Sequence, residues 1–398
     1  MTFSLSNINR YHQIGPIVDL NEYERSITVN MLNVGVNVKD QILADVRPKN
    51  QYRFRDIIFR DEDVEYVANV STYSLAFYNC SIPRSFYDGI IGIATNIKSL
   101  ALGFIYNLNM RHLLSTLGRT RLEHLNMYIP VDVQDVFEIF ISETKTLTKL
   151  GIYEVDRNPN VLNALISQKT INNLDIMYAV INDPTAQMLA ILVQENKNIT
   201  RYAFIGCTFS WETHYFLSYL GIFFFKKKMI ILIFLGENHV IDWLEFKYCD
   251  YPIEFLKMAL TVLAKMSSPL QWLVISVMGN ILNELFELIS KTTTIRWLSF
   301  TETRMYGMLF VGNLNAVADA FQNNLSITRF EYPVLLFPEE IAERIEKSVE
   351  YNRMHRQDIF DQHPIPSSLG RVTFPRSEMI PRYLEFHKEK KQREINEY

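Results

Sequence analysis

The sequence lacks any excess of basic residues, with 40 Lys and Arg against 44 Asp and Glu and a formal net charge of −4. Proteins that bind nucleic acid usually carry a basic excess or a dense basic face, so we expect no nucleic-acid partner. The longest apolar stretch, LGIFFFKKKMIILIFLG, is split by three lysines into runs too short to span a bilayer. The first residues lack the basic, apolar, small-residue order of a secretory signal, so we expect a cytoplasmic protein without a membrane partner.

Motifs of common enzyme sites are also missing. The sequence has no G-x-x-x-x-G-K-[S/T], no H-E-x-x-H and no G-x-S-x-G, and its three cysteines form no pair at metal spacing. The eight histidines are scattered from His12 to His387. We therefore expect no enzyme, no catalytic residues, no cofactor and no metal site.

What the sequence does contain is a repeat, in which an apolar residue is followed three positions later by a second and two later by a third. Nine segments carry it: IKSLAL from Ile97, LEHLNM from Leu122, LTKLGI from Leu147, INNLDI from Ile171, ITRYAF from Ile199, IDWLEF from Ile241, LQWLVI from Leu270, IRWLSF from Ile295 and ITRFEY from Ile327. TYSLAF, from Thr72, keeps the second and third positions. Helical patterns such as DVQDVFEIFISET and ILNELFELIS lie between them, which predicts a short strand followed by a helix in each repeat.

This unit resembles a leucine-rich repeat of the ribonuclease-inhibitor-like type, whose template is L-x-x-L-x-L-x-x-N/C-x-L followed by a helix. The resemblance covers roughly residues 65–350 and implies an α/β fold. The fold expected is a curved solenoid of strand-helix repeats with parallel strands on the concave face and helices on the convex face. Alternate strand residues should fill the core: Leu100, Leu102, Leu125, Leu150, Leu174, Leu244, Leu273 and Leu298.

The three cysteines support this register. Cys80, Cys207 and Cys249 each follow the second apolar position by five and land on the N/C position of the template. A disulfide, a metal site or a nucleophile are the functional alternatives, but a small residue buried at a tight turn fits better, so we expect all three to be buried and reduced. Other repeats depart from the template and should be less regular, with Ile105, Pro130, Val155, Ala179 and Met278 at this position.

The pattern divides the chain into three regions. Residues 1–64 show no repeat of good quality and are predicted to form an N-terminal cap, residues 65–352 form the solenoid, and residues 353–398 form a C-terminal tail that is partly disordered. Successive repeats start 24 to 32 residues apart, except that 42 residues separate Ile199 from Ile241. Removing the fifteen residues 222–236 leaves 27, which predicts an insertion there.

One column of the repeat predicts a working surface. The residue before the second apolar position should face the concave side, and along the array it reads Ser99, His124, Lys149, Asn173, Arg201, Trp243, Trp272, Trp297 and Arg329. Trp and Arg are enriched among interface hot spots. We therefore predict partner binding by Lys149, Arg201, Trp243, Trp272, Trp297 and Arg329. A self-packing aromatic ladder that only stabilises neighbouring strands is the alternative.

Proteins of the resembled class are mostly binding platforms, so we expect a scaffold or adaptor that binds another protein on its concave face. The alternative is a regulator of an enzyme, as a ubiquitin-ligase substrate-recognition arm or a GTPase activator. The chain departs from these subgroups, since it shows no clear F-box and no strongly acidic tail of the kind found in activators of the Ran GTPase.

The inserted stretch generates a prediction about the gene. Its fifteen residues correspond to 45 nucleotides that can be written to begin with GT and end with AG, and excision would leave one glycine in frame. We therefore predict that residues 222–236 translate a retained intron. The spliced transcript should then lack these 45 nucleotides. A genuine β-hairpin, a helix extension or a membrane-surface patch are the other interpretations, and transcripts that mostly keep the 45 nucleotides would rule out the intron.

Overall fold

A long parallel β-sheet organises the fold. The computed structural model describes residues 26–30, 51–55, 59, 61, 74–78, 80–83, 85, 97–103, 105, 109–118, 120–209, 240–265, 269–277, 280–302, 312–332 and 337–355. The chain divides into two compact units, residues 1–350 and 351–398, and the sheet belongs to the first.

Fourteen strands lie in the described ranges: β1 (Ser26–Asn30), β2 (Gln51–Arg55), β3 (Ser74–Tyr78), β4 (Ser99–Gly103), β5 (His124–Tyr128), β6 (Lys149–Tyr153), β7 (Asn173–Met177), β8 (Val180–Ile181), β9 (Arg201–Ile205), β10 (Thr208–Phe209), β11 (Trp243–Lys247), β12 (Trp272–Val277), β13 (Trp297–Glu302) and β14 (Arg329–Glu331). Twelve of them form one sheet in the order β1-β2-β3-β4-β5-β6-β7-β9-β11-β12-β13-β14. The short strands β8 and β10 pair with each other in a second parallel sheet.

Helices alternate with these strands. The α-helices of the described ranges are α1 (Met110–Leu117), α2 (Gln134–Glu143), α3 (Asp183–Glu195), α4 (Ile253–Lys265), α5 (Leu282–Lys291), α6 (Leu314–Asn323) and α7 (Glu339–Met354). Between β6 and β7 the helical turns are 3-10 helices, Val155–Arg157 and Pro159–Leu165. The predicted alternation of strand and helix is thus confirmed over the described repeats.

The core lies between the helices and one face of the sheet. All eight leucines predicted to point inward are buried, and they join buried helix residues such as Leu114, Phe137 and Leu285 in one hydrophobic cluster. These leucines occupy the second or fourth position of their strands, which share a face because strand side chains alternate. The hydrophobic effect of burying this face stabilises the sheet.

The sheet extends beyond the repeats recognised in the sequence. Strands β1 and β2 lie within residues 1–64, the region expected to be a cap, and they continue the register through Ser26, Gln51 and Ser74 at spacings of 25 and 23 residues. The signal is weak because the segment QYRFR of β2 contains no leucine, and the buried inward residue is Phe54. The boundary at residue 64 stays a prediction, although two strands on its N-terminal side belong to the sheet.

Two other sequence predictions fall on residues outside the described ranges. These are the insertion at 222–236 and, from residue 356 onward, the C-terminal tail. The long spacing before β11 adds no offset to the sheet, because Arg201 of β9 pairs directly with Trp243 of β11.

A left-handed residue ends four successive strands of the sheet. Glu154, Tyr178, Gly206 and Tyr248 directly follow β6, β7, β9 and β11, with φ between 49° and 63°. This turn continues the hydrogen bonding between neighbouring repeats beyond the end of the strand. The backbone N–H of Tyr178 donates to the Ile205 carbonyl at 2.8 Å, and that of Gly206 donates to the Lys247 carbonyl at 2.8 Å. Glycine adopts this conformation without strain, whereas the other three residues accept it at some cost in free energy.

All three cysteines are buried, as predicted, and Cys207 and Cys249 directly follow two of these turns. All three are free thiols, and each Sγ donates to a carbonyl of the preceding strand in the sheet: Cys80 to Phe54 at 3.6 Å, Cys207 to Ile176 at 3.3 Å and Cys249 to Phe204 at 3.2 Å. Burial raises the pKa of the Cys249 thiol, and the neighbouring Cys207 raises it further. A protonated, inaccessible thiol is a weak nucleophile. We therefore assign these side chains a structural role, in which each thiol bonds to the preceding strand of the sheet.

Buried asparagine side chains join neighbouring repeats at the C-terminal ends of the helices. Asn324 donates from Nδ2 to the carbonyls of Ile289 at 2.8 Å and Thr292 at 2.9 Å, while its Oδ1 accepts from the backbone of Ser326 and Ile327. Asn196 makes the equivalent bonds at the end of α3, to Leu165, Gln168, Asn198 and Ile199. Each asparagine caps its own helix through its backbone N–H, while its side chain bonds to the preceding repeat and fixes the entry to the next strand.

Asn324→Ala should lower the free energy of unfolding by about 2 kcal/mol, because it leaves two buried carbonyls and two backbone N–H groups without their partner. Urea denaturation followed by circular dichroism measures this loss. Asn323→Ala is the matched control, since Asn323 is the exposed neighbour on the same helix and should change stability by less than about 0.5 kcal/mol. Equal stability of the two variants would contradict the role given to Asn324.

Candidate functional site

In the strands of the long sheet from β3 onward, the first and third residues lie on the sheet face opposite the core. The six residues predicted to bind a partner all occupy the first position of their strands. Five of them are aligned across adjacent strands, because Arg201 pairs with Trp243, Trp243 with Trp272, Trp272 with Trp297, and Trp297 with Arg329. We call these five residues the tryptophan–arginine cluster.

The three tryptophan rings pack on one another. The rings of Trp243 and Trp272 stack with centroids 5.4 Å apart and planes 22° apart, and the edge of one ring of the Trp243–Trp297 pair meets the face of the other at 5.9 Å. Trp243 therefore contacts both of the other rings, and Trp272 is only 8% exposed. The expectation of an exposed aromatic strip holds for the two partly exposed rings, Trp243 and Trp297, and does not hold for Trp272.

The two arginines lie against these rings. The guanidinium carbon of Arg201 is 5.4 Å from the Trp243 ring centroid and 6.0 Å from that of Trp272, while that of Arg329 lies 4.0 Å from the Trp297 centroid. Both distances to the nearest ring are within cation–π range.

A carboxylate lies beside each of the two arginines. Nε of Arg201 is 3.8 Å from Oδ1 of Asp242, and Nε of Arg329 donates to Oε1 of Glu331 at 2.8 Å. The ring and the carboxylate together orient each guanidinium on the sheet face.

A second group of charges is built around two acidic residues at the third strand position, Asp175 and Glu245. Nζ of Lys149 lies 2.9 Å from Oδ2 of Asp175, and Glu245 lies between Lys247, whose Nζ is 3.8 Å away, and Nε1 of Trp243, which donates to it at 3.4 Å. Burial raises the pKa of the Glu245 carboxyl, and the charge of Lys247 opposes this shift. The sixth predicted residue, Lys149, thus lies in this charged group, two strands away from Arg201 in the sheet.

The acidic members of this face were not predicted from the sequence. Asp175 and Glu245 each occupy the middle of a strand, in NLDIM and WLEFK, where the alternation of side chains places them on the same face as the first position. The signal was available, since an acidic residue between two inward apolar residues has to point away from the core. Only the structure reveals which cation each carboxylate approaches.

Small residues mark the other half of the same face. An added Cβ at Gly103 would lie 2.7 Å from the Tyr78 ring and 3.3 Å from that of Tyr153, and one at Gly151 would lie 2.4 Å from Oδ1 of Asn126. Glycine therefore lets these larger neighbours cover the sheet here. The face is accordingly divided into a tyrosine-covered half around β3–β6 and a tryptophan–arginine half around β9–β14.

No family model and no curated protein matches the chain. Within the described residues, no helix is both long enough and apolar enough to cross a membrane. Among the same residues, no three His, Cys, Asp or Glu side chains gather closely enough to hold a metal ion.

Trp272→Ala should lower the free energy of unfolding by about 3 kcal/mol, because the change removes a buried ring from the middle of the cluster. Urea denaturation followed by far-ultraviolet circular dichroism measures this value. Phe286→Ala is the control, since Phe286 is an aromatic residue of α5 that is 42% exposed, and its loss should be below about 0.5 kcal/mol. A Trp272→Ala protein as stable as the control would show that this ring contributes nothing to the fold.

Proposed function

We propose that the chain is a leucine-rich repeat solenoid of the ribonuclease-inhibitor-like type that acts as a scaffold or adaptor. It binds another protein in the cytoplasm, and it does so without catalysis and without nucleic acid. The concave side of the solenoid is the sheet face that carries the tryptophan–arginine cluster. The single observation behind the proposal is the alignment of three tryptophans and two arginines on that face, away from the hydrophobic core.

The repeat geometry supports the solenoid. Each described strand of the long sheet pairs with the next at the same position of the repeat, helices return between strands, and the cysteines occupy the N/C position of the template. Repeat proteins of this kind present extended surfaces that suit protein recognition. A rigid sheet behind the cluster also limits the conformational entropy lost when a partner binds.

The composition of the cluster supports protein binding at this place. Trp and Arg are the residue types that most often dominate the binding energy of protein interfaces. Trp243 and Trp297 remain partly exposed although both rings are large and apolar, and the guanidinium groups beside them are held in position by carboxylates. Such a pre-ordered group of aromatic and guanidinium side chains resembles the centre of an interface before its partner arrives.

Affinity purification of the full chain from cells that express it tests the proposal. The double variant Trp243→Ala and Trp297→Ala should lose the main co-purifying protein by about tenfold or more, because it removes the two exposed rings. Phe286→Ala is the matched control on the helix layer and should recover the protein as the natural chain does. Unfolding curves of all variants establish that each is folded at the temperature of the experiment.

The identity of the recovered protein also distinguishes a scaffold or adaptor from a regulator of an enzyme. Recovery of a cullin-type ligase scaffold or a small GTPase as the main partner would identify the chain as an enzyme regulator. Equal recovery by the double variant and the natural chain would place the working surface elsewhere.

A further inference from the structure

The ion pairs on the binding face are unequally exposed, and the cation is always the more exposed member. In the Lys149–Asp175 pair the lysine side chain is 33% exposed and the aspartate 11%, and in the Arg201–Asp242 pair the values are 33% and 17%. Arg329 is 45% exposed against 36% for Glu331, and Lys247 also exceeds Glu245. A molecule that approaches this face therefore meets positive charge first.

The geometry of the strands explains this difference. Lys149, Arg201 and Arg329 stand at the first position, and their long side chains reach outward, whereas Asp175 and Glu245 are shorter and stand at the third position in the middle of the sheet. Burial raises the pKa of the Asp242 and Glu245 carboxyls, so the ionised form of each is disfavoured at its place in the fold. The recessed carboxylates orient the cations and weaken their positive field only in part.

Apolar surface lies between the two arginines. Arg201 and Arg329 stand on β9 and β14, and the strands that separate them are β11, β12 and β13, each with a tryptophan at the first position. Four strand spacings of about 4.8 Å place their Cα atoms about 19 Å apart. Along a line across the sheet, the surface therefore presents a cation, then an aromatic patch, and then a second cation.

We propose that the partner binds this line through an extended acidic segment that carries an apolar side chain in its middle. The inference rests on the proposed function, because it names the chemistry of the partner that the binding face accepts. Carboxylates of the segment pair with Arg201 and Arg329, and the apolar side chain packs on the exposed parts of Trp243 and Trp297. At about 3.3 Å per residue of extended chain, the two carboxylates lie about six residues apart.

An acidic peptide fits the face better than single-stranded nucleic acid. Nucleic acid would need open ring faces on which bases can stack. Here Trp243 stacks on Trp272, Arg201 covers Trp243, and Arg329 covers Trp297. A strand of phosphates would also run past four carboxylates, whereas a peptide places its few acidic groups only where a cation protrudes.

Fluorescence anisotropy with labelled synthetic peptides of roughly twelve residues tests the inference on the full chain. The acidic probe has glutamates six residues apart on either side of two leucines. The matched probes replace the glutamates with lysine or with glutamine, and a single-stranded oligonucleotide of equal contour length is the fourth probe. We expect the acidic peptide to bind about tenfold tighter than the glutamine peptide, and the preference should shrink as ionic strength rises.

Charge reversal provides the decisive variant. The double variant Arg201→Glu and Arg329→Glu should reverse the preference, so that the lysine peptide binds more tightly than the acidic one. Far-ultraviolet circular dichroism and an unfolding curve establish that the variant is folded, so that the reversal reports on the folded face. Arg111→Glu is the matched control, because Arg111 forms a comparable exposed ion pair with Asp135 on the helix layer and should leave the preference unchanged.

Three results would overturn the inference. They are equal or tighter binding of the glutamine or lysine peptide by the natural chain, tighter binding of the oligonucleotide, and an acidic preference that survives the reversal of both arginines. Absence of any peptide binding, together with recovery of a partner that depends on Trp243 and Trp297, would overturn the acidic chemistry and leave the proposed function intact.

Discussion

Every strand of the twelve-stranded sheet pairs with its neighbour without offset, first residue to first residue, from Ser26 of β1 to Arg329 of β14. This parallel register is the constraint on which the rest of the structure depends. It lines up the leucines of the second position into one continuous core and, on the other face, lines up whatever side chains stand at the first and third positions. A strand shifted by one residue would turn its leucines to solvent, so burial of the core enforces the register.

The connections at both ends of the strands serve the same register. After the strand, a left-handed residue and a buried thiol return backbone and side-chain hydrogen bonds to the sheet, as in Gly206 and Cys207. Before the strand, a buried amide such as Asn196 bonds to the end of the preceding helical turn and to the start of the next strand. These groups satisfy backbone atoms that would otherwise be buried without partners.

The face that carries the tryptophan–arginine cluster follows from this scaffold. Because the core is closed by the opposite face, the first and third positions are free to carry charge and aromatic surface. Trp272 is buried within the cluster, where its ring stabilises the sheet, while Trp243 and Trp297 keep the exposed surface that the proposed recognition requires. A ladder that stabilises the sheet and a surface that binds a partner are therefore compatible properties of the same three residues.

The sequence by itself determined the strand-helix alternation, the inward leucines, the burial of Cys80, Cys207 and Cys249, and the alignment of the tryptophans, because all of these follow from a local period. It did not reveal β1 and β2 as members of the sheet, since Phe54 is buried in the core of β2 without matching the leucine pattern. Only the tertiary structure decided that Trp272 is covered, that Asp175 and Glu245 lie recessed beside protruding cations, and that Asn324 holds two repeats together. The burial of Trp272 and the pairing of Asp175 with Lys149 depend on neighbours across strands, and those neighbours are some 25 or more residues away in the chain, beyond the reach of any local pattern.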